Sequence, residues 1–586
     1  MAGLLRRTRG WVRPLLGLAL LGLGTVLALH SSASIKVFVV LVAAGLVAVG
    51  VLRILEAIDT DADQANSCPW ITGGSGVLLA GAGIAALLWR GATLPMLALS
   101  VSILLLVSGA GSLASALRRG SPDRASALLG GLAAVLAGLL VLLWPRLTVW
   151  AFGVFFGGWL VFIGLRLILG YLARGRYSPA PGKPGRLRGF GRVAGSALAL
   201  LLAVGMVLVT SFVHAGDPKL VPDAFYTPPT LVPAEPGKLL RAEPLLRGIP
   251  EDADAWRILY TTTDPDGSPA VASGSVVVPK DRGATALPVI SMAHGTKGII
   301  PRCAPSLSAS PYSDGPAAAL RELVSRGWAG VMSDYVGLGT AGPHPYLVGQ
   351  AEGRNVLDAY RAAGQLREFT LRGDTLIWGH SQGGHGALFS AAIARDYAPE
   401  IGILGVAALA PASNLAALAL GVKDGAAGKV VSSYIAASWN DLFPELGLAS
   451  LVTPGYARSV QRIGELCFDG RDALSAVVGG TQLFDAVIPE SALKGPLGAR
   501  LEENSVDMAI DYPLFVAQGL DDQLVLPGMQ RAWVAGRCAA GQELEYREYA
   551  GRDHMPLVED DSPLIGDLVA WANDRLDGKK PANTCR

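Results

Sequence analysis

The stretch Asp374-Thr375-Leu376-Ile377-Trp378-Gly379-His380-Ser381-Gln382-Gly383 decides the fold of the second half of this chain. Its last five residues match G-x-S-x-G, a sharp strand-to-helix turn that exposes a serine hydroxyl. The five residues before them favour a strand, and residues 384–394, rich in alanine, favour a helix. Because the motif stands between a strand and a helix, we predict that Ser381 is a nucleophile.

The two halves of the 586-residue chain differ in composition. Apolar residues make up 51% of the chain, and mean hydropathy is +0.40. The long uncharged runs lie almost entirely within residues 1–214, whereas residues 215–586 resemble an ordinary globular chain. We therefore predict a multi-pass membrane domain over 1–214 and a catalytic domain over 215–586.

Charge and motif content argue against several other classes of function. The formal net charge of +1 gives no reason to expect a nucleic-acid partner. The seven histidines are scattered, and the sequence contains neither H-E-x-x-H nor C-x-x-C. We therefore expect no metal and no cofactor, and the oligomeric state stays open.

The first half is expected to form an all-α transmembrane bundle of about seven helices, three tandem hairpins plus one. Each hairpin begins with a glycine that is followed, thirteen residues later, by an aromatic or histidine residue and a short polar link. A cleaved signal peptide is the alternative for the first span, but its removal would leave a hairpin incomplete. The repeated glycine and the residue thirteen positions after it are Gly17 and His30, Gly76 and Trp89, and Gly131 and Trp144. The seven predicted spans are 13–29, 35–55, 70–89, 93–117, 126–144, 147–170 and 193–213.

Basic residues predict the orientation of these spans. Arginine and lysine are concentrated before span one, between spans four and five, and between spans six and seven, so these segments should face the cytoplasm. Seven crossings then place the N-terminus in the cytoplasm and the catalytic domain outside. The repeated hairpins resemble the HdeD-like (DUF308) family of small membrane proteins, which implies a fold and little about activity. We expect this half to act as an anchor in the cell membrane.

The order of residues along the chain selects partners for Ser381. A serine hydroxyl needs a base to become nucleophilic at neutral pH, and α/β-hydrolases place the acid and then the histidine after the serine. Only His385 and His554 follow Ser381, and His385 leaves no room for an intervening acid. His554 is therefore the predicted base. Either Asp521 or Asp522 could orient it, and the spacing Gly-x-x-Asp-x-x-Val favours Asp522.

The oxyanion of the reaction needs two hydrogen-bond donors. One is expected to be the backbone N–H of Gln382, directly after the nucleophile. The second should lie in a loop after an early strand, and Ser291-Met292-Ala293-His294-Gly295-Thr296 has that arrangement. We place the second donor at Thr296.

Further motifs resemble one family. Residues 224–229 (AFYTPP), 303–306 (CAPS), 333–340 (SDYVGLGT) and 343–346 (PHPY), together with the serine motif, are similar to the secretory lipase family, typified by Candida antarctica lipase A. The resemblance implies hydrolysis of carboxylic esters, including triacylglycerols, by an α/β-hydrolase with a helical cap, here about 414–505. The cap could be a lid or merely extra packing helices. The resemblance also favours the disulfides Cys303–Cys467 and Cys538–Cys585, both outside the cytoplasm, where oxidation is permitted.

Three functions fit these residues. The first is a membrane-anchored lipase or carboxylesterase that acts on lipid or other esters outside the cytoplasm. The second is an acyltransferase with the same triad, in which an alcohol replaces water as acceptor. The third is a membrane stress or binding protein whose hydrolase domain is not catalytic. Because Ser381, Asp522 and His554 are all present, we favour the first.

Overall fold

The protein is described by a computed structural model. It covers residues 94–117, 124–144, 186–312, 315–317 and 319–585, together with isolated positions between 18 and 168. The chain divides into two compact units, Met1–His214 and Ala215–Arg586.

Unit 1 is helical wherever whole segments are described. Its helices are α1 (Leu94–Leu117), α2 (Arg124–Leu143) and α3 (Arg186–Ala215). Among the described residues, two stretches are long and apolar enough to cross a membrane: Arg124–Leu143 and Phe190–Val213. They coincide with the predicted spans 126–144 and 193–213, and the predicted span 93–117 falls on α1. The remaining spans lie outside the described residues except at isolated positions, so the seven-span bundle stays a prediction; they are 13–29, 35–55, 70–89 and 147–170.

Glycines allow helices of unit 1 to approach closely. A Cβ placed on Gly50 would lie 2.6 Å from the carbonyl oxygen of Gly76, and one placed on Gly109 would lie 2.8 Å from that of Gly131. Small residues at such crossings let helix backbones meet, as is common between membrane helices. Gly76 and Gly131 occupy the same position of the sequence repeat, so the same crossing occurs twice.

Unit 2 is built on a mixed nine-stranded sheet in the order β1-β2-β3-β5-β4-β6-β7-β8-β9. Strands β1, β2 and β3 form an antiparallel ribbon, β3 is antiparallel to β5, and strands β4 to β9 run parallel to one another. The strands are β1 (Leu239–Pro244), β2 (Ala253–Thr263), β3 (Pro269–Pro279), β4 (Leu287–Ala293), β5 (Ala329–Val336), β6 (Leu371–His380), β7 (Gly402–Leu409), β8 (Leu514–Gly519) and β9 (Glu545–Tyr549).

Helices cover both faces of this sheet. Side chains alternate along β6, so Ile377 packs on the face covered by α5, α6 and α13, while Leu376 and Trp378 pack on the face covered by α4 and α14. The helices are α4 (Leu320–Ser325), α5 (Gly349–Ala363), α6 (Gln382–Tyr397), α7 (Leu415–Val422), α8 (Ala426–Leu442), α9 (Leu448–Leu451), α10 (Ala457–Gly464), α11 (Gly470–Gln482), α12 (Pro496–Glu503), α13 (Pro527–Ala539) and α14 (Pro563–Leu576).

A helical insertion separates β7 from β8. Helices α7 to α12 lie within it, and they share with the segment before α5 an apolar core that includes Tyr434 and Trp439. The insertion covers the segment for which the sequence predicts a cap. Two disulfides are present in unit 2, Cys303–Cys467 and Cys538–Cys585. The first links the region after β4 to the insertion, and the second holds the C-terminal tail against α13.

Candidate active site

Ser381 lies on a tight turn between β6 and α6. Its backbone has φ 59° and ψ −119°, a combination that L-residues rarely adopt. The turn is held from both sides, because the Ser381 N–H donates to Leu409 O (2.9 Å) and the Ala412 N–H donates to Ser381 O (3.2 Å). Both partners belong to the end of β7 or its loop. The backbone of Ser381 is thus held in a strained conformation, as the sequence motif requires.

The glycines of the motif are required by close backbone contacts. A Cβ on Gly383 would overlap the carbonyl oxygen of Ala293 at the end of β4, and one on Gly379 would overlap the backbone of Gly383. At Gly384 an added Cβ would lie 2.8 Å from the Cβ of Pro411. Only glycine therefore lets α6 begin this close to the sheet, which raises Ser381 above the carboxyl ends of the strands.

His554 and Asp522 are brought together from two loops. The Nδ1 atom of His554 lies 2.8 Å from Asp522 Oδ2. The other carboxylate oxygen, Oδ1, accepts hydrogen bonds from the backbone N–H groups of Leu524 and Val525, both at 2.8 Å. Asp521 is exposed, whereas Asp522 is buried. Of the two aspartates that the sequence left open, Asp522 is the one in contact with the imidazole.

The histidine inside the G-x-S-x-G motif supports His554. His380 is buried, and its Nε2 donates to the carbonyl oxygen of His554 at 3.0 Å. Burial and then the nearby His554 lower the pKa of His380 well below its ordinary value, so the ring stays neutral. Gly315 packs on this ring so closely that a Cβ there would lie 2.7 Å from His380 Nδ1. The His554 backbone is therefore anchored directly to the residue before the serine.

Ser381 and His554 line one cavity of about 250 Å³. Thr296 lies on its wall beside them. The rest of the lining is mainly apolar and includes residues of the helical insertion. These apolar residues are Val430, Val431, Tyr434, Phe468, Ala473, Leu524 and Met555. Ser381, His554 and a mainly apolar cavity are thus found together.

The loop after β4 runs next to the serine. A Cβ added to Gly295 would lie 3.2 Å from His380 O and 3.9 Å from the Cβ of Ser381. The Thr296 hydroxyl is 2.8 Å from the hydroxyl of Tyr346, a contact in which either oxygen can donate. Gln382 is the first residue of α6, where backbone N–H groups have no partner within the helix. Both residues predicted as oxyanion donors therefore flank Ser381.

A buried hydrogen-bonded network behind Gln382 is not predicted by the sequence. The Gln382 side chain donates through Nε2 to Glu352 Oε1 at 2.8 Å, and His385 Nδ1 lies 2.6 Å from Glu352 Oε2. The other ring nitrogen of His385 lies 2.7 Å from the carbonyl oxygen of Asn504. Glu352 and His385 are completely buried. No local motif joins residues 33 positions apart. The one possible signal in the sequence was an acidic residue, Glu352, at a buried position of helix α5.

Two other polar residues of the family motifs lie in the core rather than at the serine. Asp334 accepts hydrogen bonds from the Ser273 hydroxyl (2.6 Å) and from the backbone N–H of Ser306 (2.9 Å). Burial raises the pKa of Asp334 to about 6 and lowers the pKa of His344 to about 3. Within the part of the chain that the structure describes, no group of three or more His, Cys, Asp or Glu residues could hold a metal ion.

Family comparisons match the two units to different families. A model of the secretory lipases matches residues 316–463, which include Ser381. A model of a short repeat of unknown function, DUF308, matches three consecutive segments, 15–73, 74–140 and 129–186. These segments agree in number with the three predicted hairpins.

Known relatives cover about two thirds of this chain. Lipase A of Arthroderma benhamiae is 26% identical over 396 residues, covering 62% of this chain and 81% of that protein. The secreted triacylglycerol lipase LIP4 of Malassezia globosa is 26% identical over 417 residues, covering 66% and 88%. The X-ray structure of Candida antarctica lipase A in its closed state has a TM-score of 0.52 at 18% identity, covering 63% and 89%. The second unit therefore has the α/β-hydrolase fold.

Proposed function

We propose that this chain is a membrane-anchored serine ester hydrolase that acts outside the cytoplasm through Ser381, His554 and Asp522. The lipase relatives and the hydrolase fold support a carboxylic ester hydrolase. One observation carries the assignment of the site. Ser381, held in a strained turn, shares a cavity with His554, and the ring of His554 is 2.8 Å from the buried carboxylate of Asp522.

In the proposed reaction His554 takes the proton of the Ser381 hydroxyl as the oxygen attacks an ester carbonyl. His554 then returns the proton to the leaving alcohol, and water releases the acid in a second cycle. Asp522 keeps the hydrogen on Nδ1, so that Nε2 is available as the base, and stabilises the positive ring. The hydrogen bond from His380 to the His554 backbone keeps the His554 ring at the cavity that Ser381 lines.

The developing oxyanion would be stabilised by Gln382 and Thr296. The backbone N–H of Gln382 is available at the start of α6, where the helix dipole also favours negative charge. The Thr296 hydroxyl supplies the second donor if its partner Tyr346 donates to it. Burial raises the pKa of Tyr346, so its hydroxyl keeps the proton needed for that donation.

The proposed substrates are esters with an apolar acyl chain, including triacylglycerols. The cavity beside Ser381 is lined mainly by aliphatic and aromatic side chains, which favour an acyl group over a polar one. The relative from Malassezia globosa is named a secreted triacylglycerol lipase. Lipid dissolved in or bound to a membrane would be within reach of an anchored enzyme.

Anchoring and orientation form the remaining part of the proposal. Two helices of crossing length and the repeat match over residues 15–186 support insertion of unit 1 in the cell membrane. The basic segments of the sequence favour a cytoplasmic N-terminus. Two disulfides in unit 2 agree with an oxidising compartment. A reporter fused after Gly216 should be active outside the cytoplasm only, and activity confined to the cytoplasm would contradict this orientation.

The hydrolase assignment is tested with the full-length protein in detergent micelles or native membranes. Hydrolysis of p-nitrophenyl butyrate by the wild type, Ser381→Ala and Ser325→Ala should be compared. Ser325 is an exposed serine at the end of α4 and serves as the matched control. We expect activity in the wild type and the control and none above background in Ser381→Ala. Equal activity of all three proteins would contradict the proposal.

A further inference from the structure

One short segment contributes several lining residues to the proposed active-site cavity. Phe468, Asp469, Gly470 and Ala473 line the same cavity as Ser381. They belong to residues 467–473, called here the wall segment, which enters the first turn of α11. The position of this segment therefore sets the width of the space in which an acyl group would lie.

Asp472 is the buried centre of the contacts that hold the wall segment. Its side chain is 2% exposed and forms an ion pair of 2.6 Å with Arg302. Its carboxylate also accepts hydrogen bonds from the backbone N–H groups of Asp217 (3.0 Å) and Cys467 (3.2 Å). A carboxylate in the first turn of a helix is further stabilised by the helix dipole. The negative charge of Asp472 is thus fully paired at a site with little access to water.

Asp217 in turn binds the backbone of Asp472. Its Oδ2 accepts the backbone N–H of Asp472 at 3.1 Å, so the two aspartates bind each other's backbone. Each carboxylate lies close to a glycine of the other segment: a Cβ on Gly216 would overlap the Asp472 carboxylate, and one on Gly470 would lie 2.5 Å from Asp217 Oδ2. Such reciprocal and sterically tight contacts define one position of the wall segment and exclude others.

These contacts join the wall to two places in unit 2. Helix α3 ends at Ala215, so Asp217 belongs to the first residues of the chain after that helix. Arg302 precedes Cys303, whose disulfide to Cys467 is a second link to the same wall. The Lys297 carbonyl oxygen, one residue beyond Thr296, also accepts the N–H of Phe468 at 2.8 Å. The wall is therefore fixed relative to the loop beside the nucleophile.

We propose that Asp472, Asp217 and Arg302 form a wall clamp, a set of positioning residues that keeps the cavity in shape for an acyl chain. This proposal rests on the proposed ester hydrolase function. The clamp residues do not line the cavity themselves and act through the wall segment. Loosening the clamp should impair binding of acyl chains that fill the cavity while the chemistry at Ser381 continues.

The substrates of the test are selected by the size of the cavity. About 250 Å³ holds about eight groups the size of water, at about 30 Å³ each, and methylene groups are of similar size. An eight-carbon acyl chain should therefore touch the wall segment, whereas an acetyl group should not reach it. The full-length wild type, Asp472→Asn and Asp217→Asn are assayed with p-nitrophenyl octanoate and acetate.

The expected result is a change in KM confined to the long ester. Loss of about 1.4 kcal/mol of binding, one order of magnitude, would raise KM for octanoate about tenfold in Asp472→Asn. We expect kcat to stay within about twofold and both constants for acetate to be unchanged. Asp217→Asn should show the same pattern to a smaller degree, and it keeps the test possible if Asp472→Asn does not accumulate, because Asp217 is less buried.

The control is Glu490→Gln, which removes an exposed charge of the helical insertion that pairs with Lys494. Its constants should equal those of the wild type. The clamp proposal is overturned if both aspartate variants keep the wild-type KM for octanoate, or if kcat for both esters falls in parallel with KM unchanged, as loss of folded protein would cause. If the wild type shows no hydrolysis that depends on Ser381, the proposed function is overturned, and this proposal with it.

Discussion

Replacing Asp522 by asparagine should stop catalysis while leaving the protein folded and able to bind ester. The Asp522 carboxylate accepts four hydrogen bonds, two from backbone N–H groups on Oδ1 and two, from Gln518 Nε2 (3.1 Å) and His554 Nδ1 (2.8 Å), on Oδ2. An asparagine that keeps its oxygen on the backbone donors must point its NH₂ group at His554. The ring then has to accept at Nδ1, so its hydrogen moves to Nε2, the atom that should take the serine proton.

The expected size of the effect follows from this loss of the correct tautomer. Disrupting the orientation of a triad histidine in this way lowers kcat about 10⁴-fold, or about 5.5 kcal/mol at 1.36 kcal/mol per factor of ten. The opposite orientation of the amide would put its NH₂ group against two backbone donors, at a cost of about 1–3 kcal/mol for each unsatisfied group. That orientation would keep the hydrogen on Nδ1, but its cost leaves only a small fraction of the molecules in it, so activity should stay low. KM should change little, because Asp522 is not part of the cavity lining.

The assay compares kcat and KM of the full-length wild type, Asp522→Asn and Asp521→Asn with p-nitrophenyl butyrate, normalised to folded protein by thermal unfolding. Asp521 is the matched control, because it is the adjacent residue, carries the same charge and is exposed. Its variant should keep wild-type activity. A loss of less than tenfold in Asp522→Asn, or an equal loss in Asp521→Asn, would refute the reasoning.

Two further predictions concern stability. Gly383→Ala should prevent formation of the native turn, because the new Cβ would overlap the Ala293 carbonyl oxygen; a soluble, active variant with an unchanged melting temperature would contradict this. Acid should destabilise unit 2. Burial lowers the pKa of His294 to about 4 and of His344 to about 3, so the stability that their neutral forms contribute is present above pH 6.5 and lost as the pH falls towards these values. From pH 6.5 to 4.5 the loss is about 4 kcal/mol, opposed by about 2 kcal/mol from Asp334, whose pKa is raised to about 6. A melting temperature that is constant or higher at pH 4.5 would contradict this balance.

The sequence predicts the parts of the fold that depend on local patterns. The strand, turn and helix around Ser381 are encoded within about twenty residues, and the structure has β6 and α6 there. The antiparallel ribbon of β1, β2 and β3 is not predicted, because alternation along a strand does not state the direction of its neighbour.

Contacts between residues far apart in the sequence limit how much of the site can be predicted. Chain order excluded His385 as the base, and the structure pairs it with Glu352 instead. That pairing could not be predicted, because a buried acid and a histidine 33 residues apart show no spacing rule. The same holds for Asp217 and Asp472, which are 255 positions apart. Such pairs become visible only when the fold brings their elements together.

The central claim, that Ser381 is the nucleophile of an esterase site, is tested most directly by mapping a covalent adduct. The full-length protein is treated with a fluorophosphonate, digested and analysed by mass spectrometry. We expect a single adduct on the peptide that carries Ser381, formed in step with loss of ester hydrolysis, and no adduct in the Ser381→Ala variant. Hydrolysis that survives complete labelling of Ser381, or an adduct on another serine that accounts for the loss of activity, would contradict the account.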